Sequence, residues 1–345
     1  MKSIHEAKNL KGKRVLVRVD WSVPTHNGRV INDYQIRASF PTIHYLREAG
    51  AKIVLLSHAE KGESDNESLL PIFEYVRDLL PLTFIETSDL MLMENVRQNP
   101  GEKENSKEFA KELSKLGDIF VNEAFSESHR EYASIVGVPE YLPSYAGLRL
   151  ELEVKELSKA FYPKRPFLFI IGGAKFDTKL PLLKKFTDIA DYVFVGGALA
   201  NNFFKEQGKE IGKSLIKDGE YGLAKLLKSG KIILPEDVIE DGGRILDAGA
   251  ITMEKLKDKI ANSRLVLWNG PLGLYEIGYK VATLQLAKMI SELAHESIIG
   301  GGDTLAAIKE LNIQDKFSFV STGGGAMITF LAKGTLPGIE ALSKR

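Results

Sequence analysis

Five glycine clusters in the second half of the chain each follow a short apolar run: "FLFIIGGAK", "YVFVGGA", "RLVLWNGPLG", "SIIGGGDT" and "FSFVSTGGGA". One such cluster is adequately explained as a tight strand-to-helix turn. Recurrence builds something more, a shared surface of bare backbone N–H groups of the kind that cradles a polyphosphate. "GGAKFDTK" puts Lys175 and Lys179 on one face at the start of a predicted helix, where two ammonium groups can clamp phosphate oxygens. Two solvated lysines are the plainer alternative. In "GGGDT", Asp303 can take Mg²⁺ directly or through water and Thr304 can bond a phosphate oxygen. Asp303 can equally be a simple helix N-cap. "WNGPLGLYE" offers Asn269, a Gly-Pro turn and Glu276, which can reach a ribose hydroxyl or merely sit in a loop. Neither Walker A spacing nor a dinucleotide fingerprint is present.

The first half ends its β-rich runs on polar and charged residues. "RVLVRVD" ends on Asp20, "AKIVLLSH" on His58, "LMLMENVR" on Arg97, and "DIFVNEAF" is soon followed by His129 and Arg130. His58, Arg97 and Arg130 can converge on a carboxylate or phosphate, for which the guanidinium fork is well shaped. Taken singly, each arginine reads as a surface ion pair and His58 as a satisfied buried histidine. A basic surface in one half and a glycine surface in the other suggest phosphoryl transfer, which needs positioning and charge stabilisation more than a covalent nucleophile.

Elements that would position these residues are legible in the alternation of β-rich runs with helical patterns, as in "RVLVRVD", "PTIHYLREAG" and "AKIVLLSH". That alternation predicts parallel sheets covered by helices, with ligands beyond the carboxyl ends of the strands. "LRLELEVKELSKAF" (Leu148 to Phe161) is compatible with a helix joining the halves, stopped by "YPKRP". "EKGESDNES" (Glu60 to Ser68) reads as a polar loop. A length of 345 residues suggests about two domains. Lys+Arg and Asp+Glu are both 46, which argues against a nucleic-acid or membrane-surface binder. The absence of cysteine excludes disulfides and thiolate chemistry, and suits a reducing cytoplasm. The N-terminus is too charged for a signal peptide, and no apolar run is long enough to span a bilayer.

Many landmarks in order, "RVLVRVD", "PTI", "VLLSH", "ENVR", "NPGE", "VNEAF", "SHREYAS", "GGAK", "EIGKSL", "WNGPLGLYE", "GGGDT", "STGGGA" and "LPGIEAL", resemble phosphoglycerate kinase along nearly the whole chain. The resemblance implies an α/β fold of two doubly wound parallel-sheet domains joined by a helix. Residues 1–150, with the tail 331–345 packed back on them, would bind phosphoglycerate, and 151–330 would bind nucleotide. It implies a monomeric enzyme of glycolysis and gluconeogenesis that transfers a phosphoryl group between 1,3-bisphosphoglycerate and Mg-ADP, giving 3-phosphoglycerate and ATP after hinge closure. By the same resemblance Asp20, Ser22, Gln35, His58, Lys61, Arg97 and Arg130 fall at acid-substrate positions. Lys175, Lys179, Asn269, Asp303 and Thr304 fall at positions for nucleotide phosphates and Mg²⁺, with Asp303 the metal ligand. Gly196, Gly197, Pro271 and Glu276 fall around adenine and ribose, and Gly273 falls at a nucleotide-binding position. Gly301, Gly302, Gly323, Gly324 and Gly325 would present N–H groups. Lys175, Lys179, Gly302, Gly325 and Arg130 would act on the transferring phosphoryl group.

The chain departs from the family pattern mainly in its first half. The family's "VDFNVP" reads "VDWSVP", "SHLGRP" reads "SHAEKG", and "VNDAFGTAHR" reads "VNEAFSESHR". In "INDYQIRASFPTI" Gln35 stands where the family has an arginine that stabilises the transferring group; Arg37, two residues on, points elsewhere on a helix. That substitution leaves a second functional expectation, a nucleotide-binding protein of the same fold with little or no catalysis. In the second half "GGAKFDTK" has Thr178 in place of the family Asp, and the stretch from Asp241 to Ile251 is shorter.

Overall fold

Runs such as "FLFII" and "LVLWN" are apolar or nearly so at every position, and a strand without a polar face has to be covered on both sides. In the computed structural model all five residues of each run are buried. Residues 1–59, 67–80 and 89–343 are described. The chain divides into two units, Met1–Lys155 with Thr335–Arg345, and Glu156–Gly334.

The first unit carries β1 (Arg14–Arg18), the small hairpin β2 (Thr25–His26) and β3 (Arg29–Val30), α1 (Tyr34–Ala38), α2 (Phe40–Glu48), β4 (Lys52–Leu56), α3 (Leu70–Arg77), β5 (Leu90–Leu92), α4 (Lys107–Ser114), β6 (Ile119–Asn122), β7 (Ser144–Ala146) and the start of α5 (Leu148–Ser158). Its sheet runs β5-β4-β1-β6-β7, parallel throughout. Val15, Val17, Ile53, Leu55 and Val121 form its buried face with Ile43 and Leu46 of α2. Trp21, fully buried, gives its indole N–H to Ser39 Oγ at 3.0 Å, the partner that a buried indole requires.

The second unit carries β8 (Phe167–Ile171), α6 (Phe176–Ile189), β9 (Tyr192–Val195), α7 (Ala198–Glu206), α8 (Leu223–Lys228), β10 (Ile232–Ile233), the hairpin β11 (Val238–Asp241) and β12 (Arg244–Ala248), α9 (Ala250–Ala261), β13 (Leu265–Asn269), α10 (Val281–Leu293), β14 (Ser297–Gly300), α11 (Gly302–Glu310), β15 (Phe319–Val320) and α12 (Gly325–Lys333). Its sheet runs β10-β9-β8-β13-β14-β15, again all parallel. The final helix, α13 (Pro337–Ala341), belongs to the first unit, where the Gly338 N–H donates to the Ser128 carbonyl at 2.8 Å.

The helix expected from Leu148 to Phe161 forms as α5 to Ser158, followed by a 3₁₀ turn at Lys159–Phe161. The unit boundary falls inside α5, between Lys155 and Glu156. Of the polar loop read over 60–68, only Glu67 and Ser68 are among the described residues; Lys61 lies outside them.

Candidate active site

In the second unit β9 and β10 lie on one side of β8 and β13, β14 and β15 on the other, so strand order reverses between β8 and β13. A crevice at such a reversal, outside the carboxyl ends of the strands, is where doubly wound sheets bind ligands. Gly172 and Gly173 follow β8 there, and Gly270 follows β13. The packing leaves no room for side chains: a Cβ on Gly172 would overlap the Pro271 carbonyl, and one on Gly197, itself at φ 59, would lie 2.5 Å from the Gly173 nitrogen.

Lys179, in the first turn of α6, sends its ammonium into this crevice and donates to the Gly172 carbonyl. Burial drives its pKa down to about 8; the Asp303 carboxylate opposes that shift and the Lys175 ammonium adds to it. The expected shared helical face is corrected here. Lys175 is the exposed N-cap residue of α6 and Lys179 is buried, so one ammonium is solvated and the other desolvated.

Asp303 is not an N-cap either; Gly301, at φ 110, takes that place, and Asp303 stands exposed in the first turn of α11. Asn269 and Thr304 are buried and tie the strand tips together. Asn269 Nδ2 donates to the Gly300 carbonyl at 2.8 Å, and Thr304 Oγ1 accepts the Gly270 N–H at 2.8 Å. The Thr304 hydroxyl keeps its own proton to donate. Gly302 and Gly324 face open space, at the starts of α11 and α12, where first-turn N–H groups have no intrahelical acceptor. Gly323 instead gives its N–H to Ser321 Oγ at 3.0 Å. Gly325 is exposed and Gly196 is buried against Leu272. Pro271 and Gly273 are buried in the turn after β13, and Glu276 is exposed on the 3₁₀ turn Tyr275–Ile277.

Beside Lys175 a cleft of about 330 Å³ opens between the starts of α6 and α7, lined by Ala174, Phe176, Ala198, Asn202, Leu215 and Ile216 among others. Its mostly apolar wall and size suit a planar base. Asn202 holds the far wall, donating to the Lys217 carbonyl at 2.6 Å and accepting the Lys217 N–H at 3.2 Å, while Asn201 donates to the Leu215 carbonyl at 3.0 Å.

In the first unit strand order reverses about β1, with β4 and β5 on one side and β6 and β7 on the other. Asp20, just past β1, accepts the Ser22 N–H at 3.1 Å on one oxygen; the other accepts Gln35 Nε2 at 3.1 Å and the Ser126 hydroxyl. Burial, then the Glu127 carboxylate, push the Asp20 pKa up to about 6. Arg37 pairs with Asp33, away from Gln35 and Asp20. His58, buried past β4, has Nδ1 3.2 Å from Arg18 Nη2. A guanidinium only donates, so Nδ1 accepts and the ring proton sits on Nε2. Burial and then the neighbouring Arg18, Arg97, Arg130 and Lys103 hold the His58 pKa well below its ordinary value, so the ring is neutral.

His58, Arg97 and Arg130 do converge, but on a protein carboxylate. Arg97 Nη2 donates to Glu127 Oε2 at 2.7 Å, Arg130 Nε lies 3.4 Å from the same oxygen, and His58 Nε2 is 3.8 Å from Oε1. Both guanidiniums also sit 5.6 Å from the centre of the Tyr132 ring.

Comparison with known proteins decides the lineage. The phosphoglycerate kinase family model matches residues 4–334. The chain belongs to the phosphoglycerate kinase family. It is 39% identical to the phosphoglycerate kinase of Wolbachia sp. subsp. Drosophila simulans, over 98% of this chain and 97% of that one. With the Thermus thermophilus phosphoglycerate kinase it is 38% identical, over 96% and 97%. The structure of phosphoglycerate kinase from Coxiella burnetii superposes with a TM-score of 0.87 at 36% identity, covering 99% of both chains. That from Pyrococcus horikoshii gives 0.84 at 27% identity, covering 99% and 98%.

Within this phosphoglycerate kinase fold several residues escaped the sequence reading. Arg18 is fully buried, and its Nε donates to Ser134 Oγ at 2.8 Å; Glu102 accepts the Ser134 N–H at 2.9 Å. A signal is present, since a charged residue at the carboxyl end of a central strand calls for a partner where that end is buried. Glu127 lay inside the altered "VNEAFSESHR" string. Tyr132 and the Asn201–Asn202 pair carried no signal that separated them from ordinary neighbours.

Proposed function

We propose that the chain transfers a phosphoryl group reversibly between 1,3-bisphosphoglycerate and ADP, with the acid substrate held by the first unit and the nucleotide by the second. The observation that carries this assignment is Lys179, a desolvated ammonium at the strand-order reversal, ringed by glycine backbone. A charge held in a dehydrated crevice acts on a developing negative charge more strongly than one in water, and costs no reorganisation at the moment of transfer. Lys175 meets the phosphates from the solvent side, and N–H groups at the starts of α11 and α12 complete the cradle. The base lies in the cleft between α6 and α7, and Glu276 reaches the ribose.

Asp303 fits Mg²⁺, because it is a single exposed carboxylate on the same rim as Lys179, and Mg²⁺ commonly binds one or two carboxylates with substrate phosphates. Bound there, the metal would neutralise phosphate charge. Asn269 and Thr304 act by fixing the strand tips, and the Thr304 hydroxyl can also donate to a phosphate. In the first unit Asp20, Ser22, Gln35, His58, Arg97 and Arg130 orient the acid substrate, with Lys61 assigned to the same role from the sequence alone. One chain supplies every group named, so a monomer suffices. The absence of cysteine suits a reducing cytoplasm. No described helix is long and apolar enough to cross a membrane. Lys179→Ala is expected to cut turnover by about 100-fold or more in a coupled assay, with cooperative unfolding retained; unchanged turnover would remove Lys179 from this role.

A further inference from the structure

The groups best suited to bind a substrate anion are already bound to one. Glu127, on the 3₁₀ turn Phe125–Glu127 that follows β6, is buried, and its carboxylate lies within 2.7 Å of Arg97 Nη2 and 3.4 Å of Arg130 Nε. His58 Nε2 lies 3.8 Å from the other oxygen of the same carboxylate, beyond hydrogen-bond distance. Asp20 adds a second carboxylate close enough that Glu127 raises its pKa. Arg18 is engaged with Ser134 and His58 and has Glu102 as its foremost acidic neighbour, whereas Arg97 and Arg130 form ion pairs with the Glu127 carboxylate itself. Glu127 neutralises one of their charges and fills a position at which a guanidinium would meet an incoming oxyanion.

The turn carrying Glu127 is held in place on both sides. Arg97 and Arg130 are each stacked near the Tyr132 ring, and α13 packs on the following residue through the Gly338 N–H to the Ser128 carbonyl. Ser126, the residue before Glu127, is bound to Asp20. The carboxylate is therefore presented to the arginines by a braced segment.

We propose that Glu127 determines the affinity of the acid-substrate site, as an internal anion that holds Arg97 and Arg130 in the absence of substrate and with which the substrate's carboxylate or phosphate has to compete. This rests on the assignment of that cluster to the acid substrate. It acts through the two arginines and is a positioning residue. Removing its charge frees the guanidiniums without altering the nucleotide unit.

The test is calorimetric titration of wild type, Glu127→Gln and Glu127→Ser with 3-phosphoglycerate, inorganic sulfate and ADP, alongside steady-state kinetics. Both variants are expected to bind 3-phosphoglycerate and sulfate at least about tenfold more tightly, since removing an opposing unit charge a few ångströms away is a large electrostatic change. KM for the acid substrate falls, while KM and Kd for ADP stay at wild-type values. Anion binding that is unchanged or weaker in both variants, with ADP affinity intact, overturns the proposal. Tighter sulfate and 3-phosphoglycerate binding without any turnover in wild type would leave this inference standing and defeat the kinase assignment; turnover with anion affinity indifferent to Glu127 would do the reverse.

Discussion

Replacing Lys179 by methionine should stabilise the fold while removing its activity. The Lys179 side chain is buried, and its pKa falls from 10.5 to about 8 on folding, chiefly through desolvation. At ~1.4 kcal/mol per pH unit, the native state carries a penalty of about 3 kcal/mol at neutral pH, where the ammonium is charged in both folded and unfolded chains. Methionine removes the charge and keeps most of the volume. It also forfeits the bond to the Gly172 carbonyl, worth about 1 kcal/mol, so a net gain of about 2 kcal/mol is expected. The sign can be followed with pH. Below about 8 the whole penalty is present. Between about 8 and 10.5 the unfolded chain binds more protons than the folded one, so wild-type stability rises with pH from this group. Above 10.5 the penalty is gone and the advantage of the variant disappears. Urea unfolding of both proteins without nucleotide, from pH 7 to pH 10.5, measures the difference. A variant less stable than wild type at pH 7, or a difference that does not shrink as pH rises, would refute the claim that this lysine is held at a cost for its charge.

Gln35→Arg places a guanidinium beside Asp20, where the amide now donates. It is expected to raise kcat by at least about tenfold, since a cation on a transferring phosphoryl group is worth that or more; an unchanged kcat in the coupled assay would mean that another group already supplies the charge. Gly172→Ala drives a methyl group into the Pro271 carbonyl, a backbone atom with no rotamer to yield. A loss of about 1–3 kcal/mol in unfolding free energy and weaker ADP binding are expected, and wild-type values for both would show that the turn is looser than its packing indicates.

What the sequence revealed and what it hid divide along a physical line. Apolar runs such as "FLFII", alternating with helical patterns, read as strands covered on both faces, and glycines directly after them mark tips where backbones approach, so sheet and crevice are legible together. The convergence of His58, Arg97 and Arg130 followed from their places after three strands of one parallel sheet. Spacing could not say which of two nearby lysines is buried, because α6 starts at Phe176 and only then fixes the direction of Lys179. Nor could it show that Asn269 and Thr304 bond across strand tips, since their partners, Gly300 and Gly270, are 31 and 34 residues away. Glu127 was hidden for a different reason. A glutamate beside arginines in sequence reads as a solvated ion pair, and only the fold brings Arg97, 30 residues away, onto its carboxylate.

The most direct measurement of the central claim is ATP formation by the purified wild-type chain from 1,3-bisphosphoglycerate and ADP with Mg²⁺, followed in a coupled assay with the reverse reaction as control. Saturable turnover in both substrates, greatly reduced in Lys179→Ala, is the expected result. A chain that binds ADP in the second unit yet forms no ATP at saturating concentrations of both substrates would contradict it.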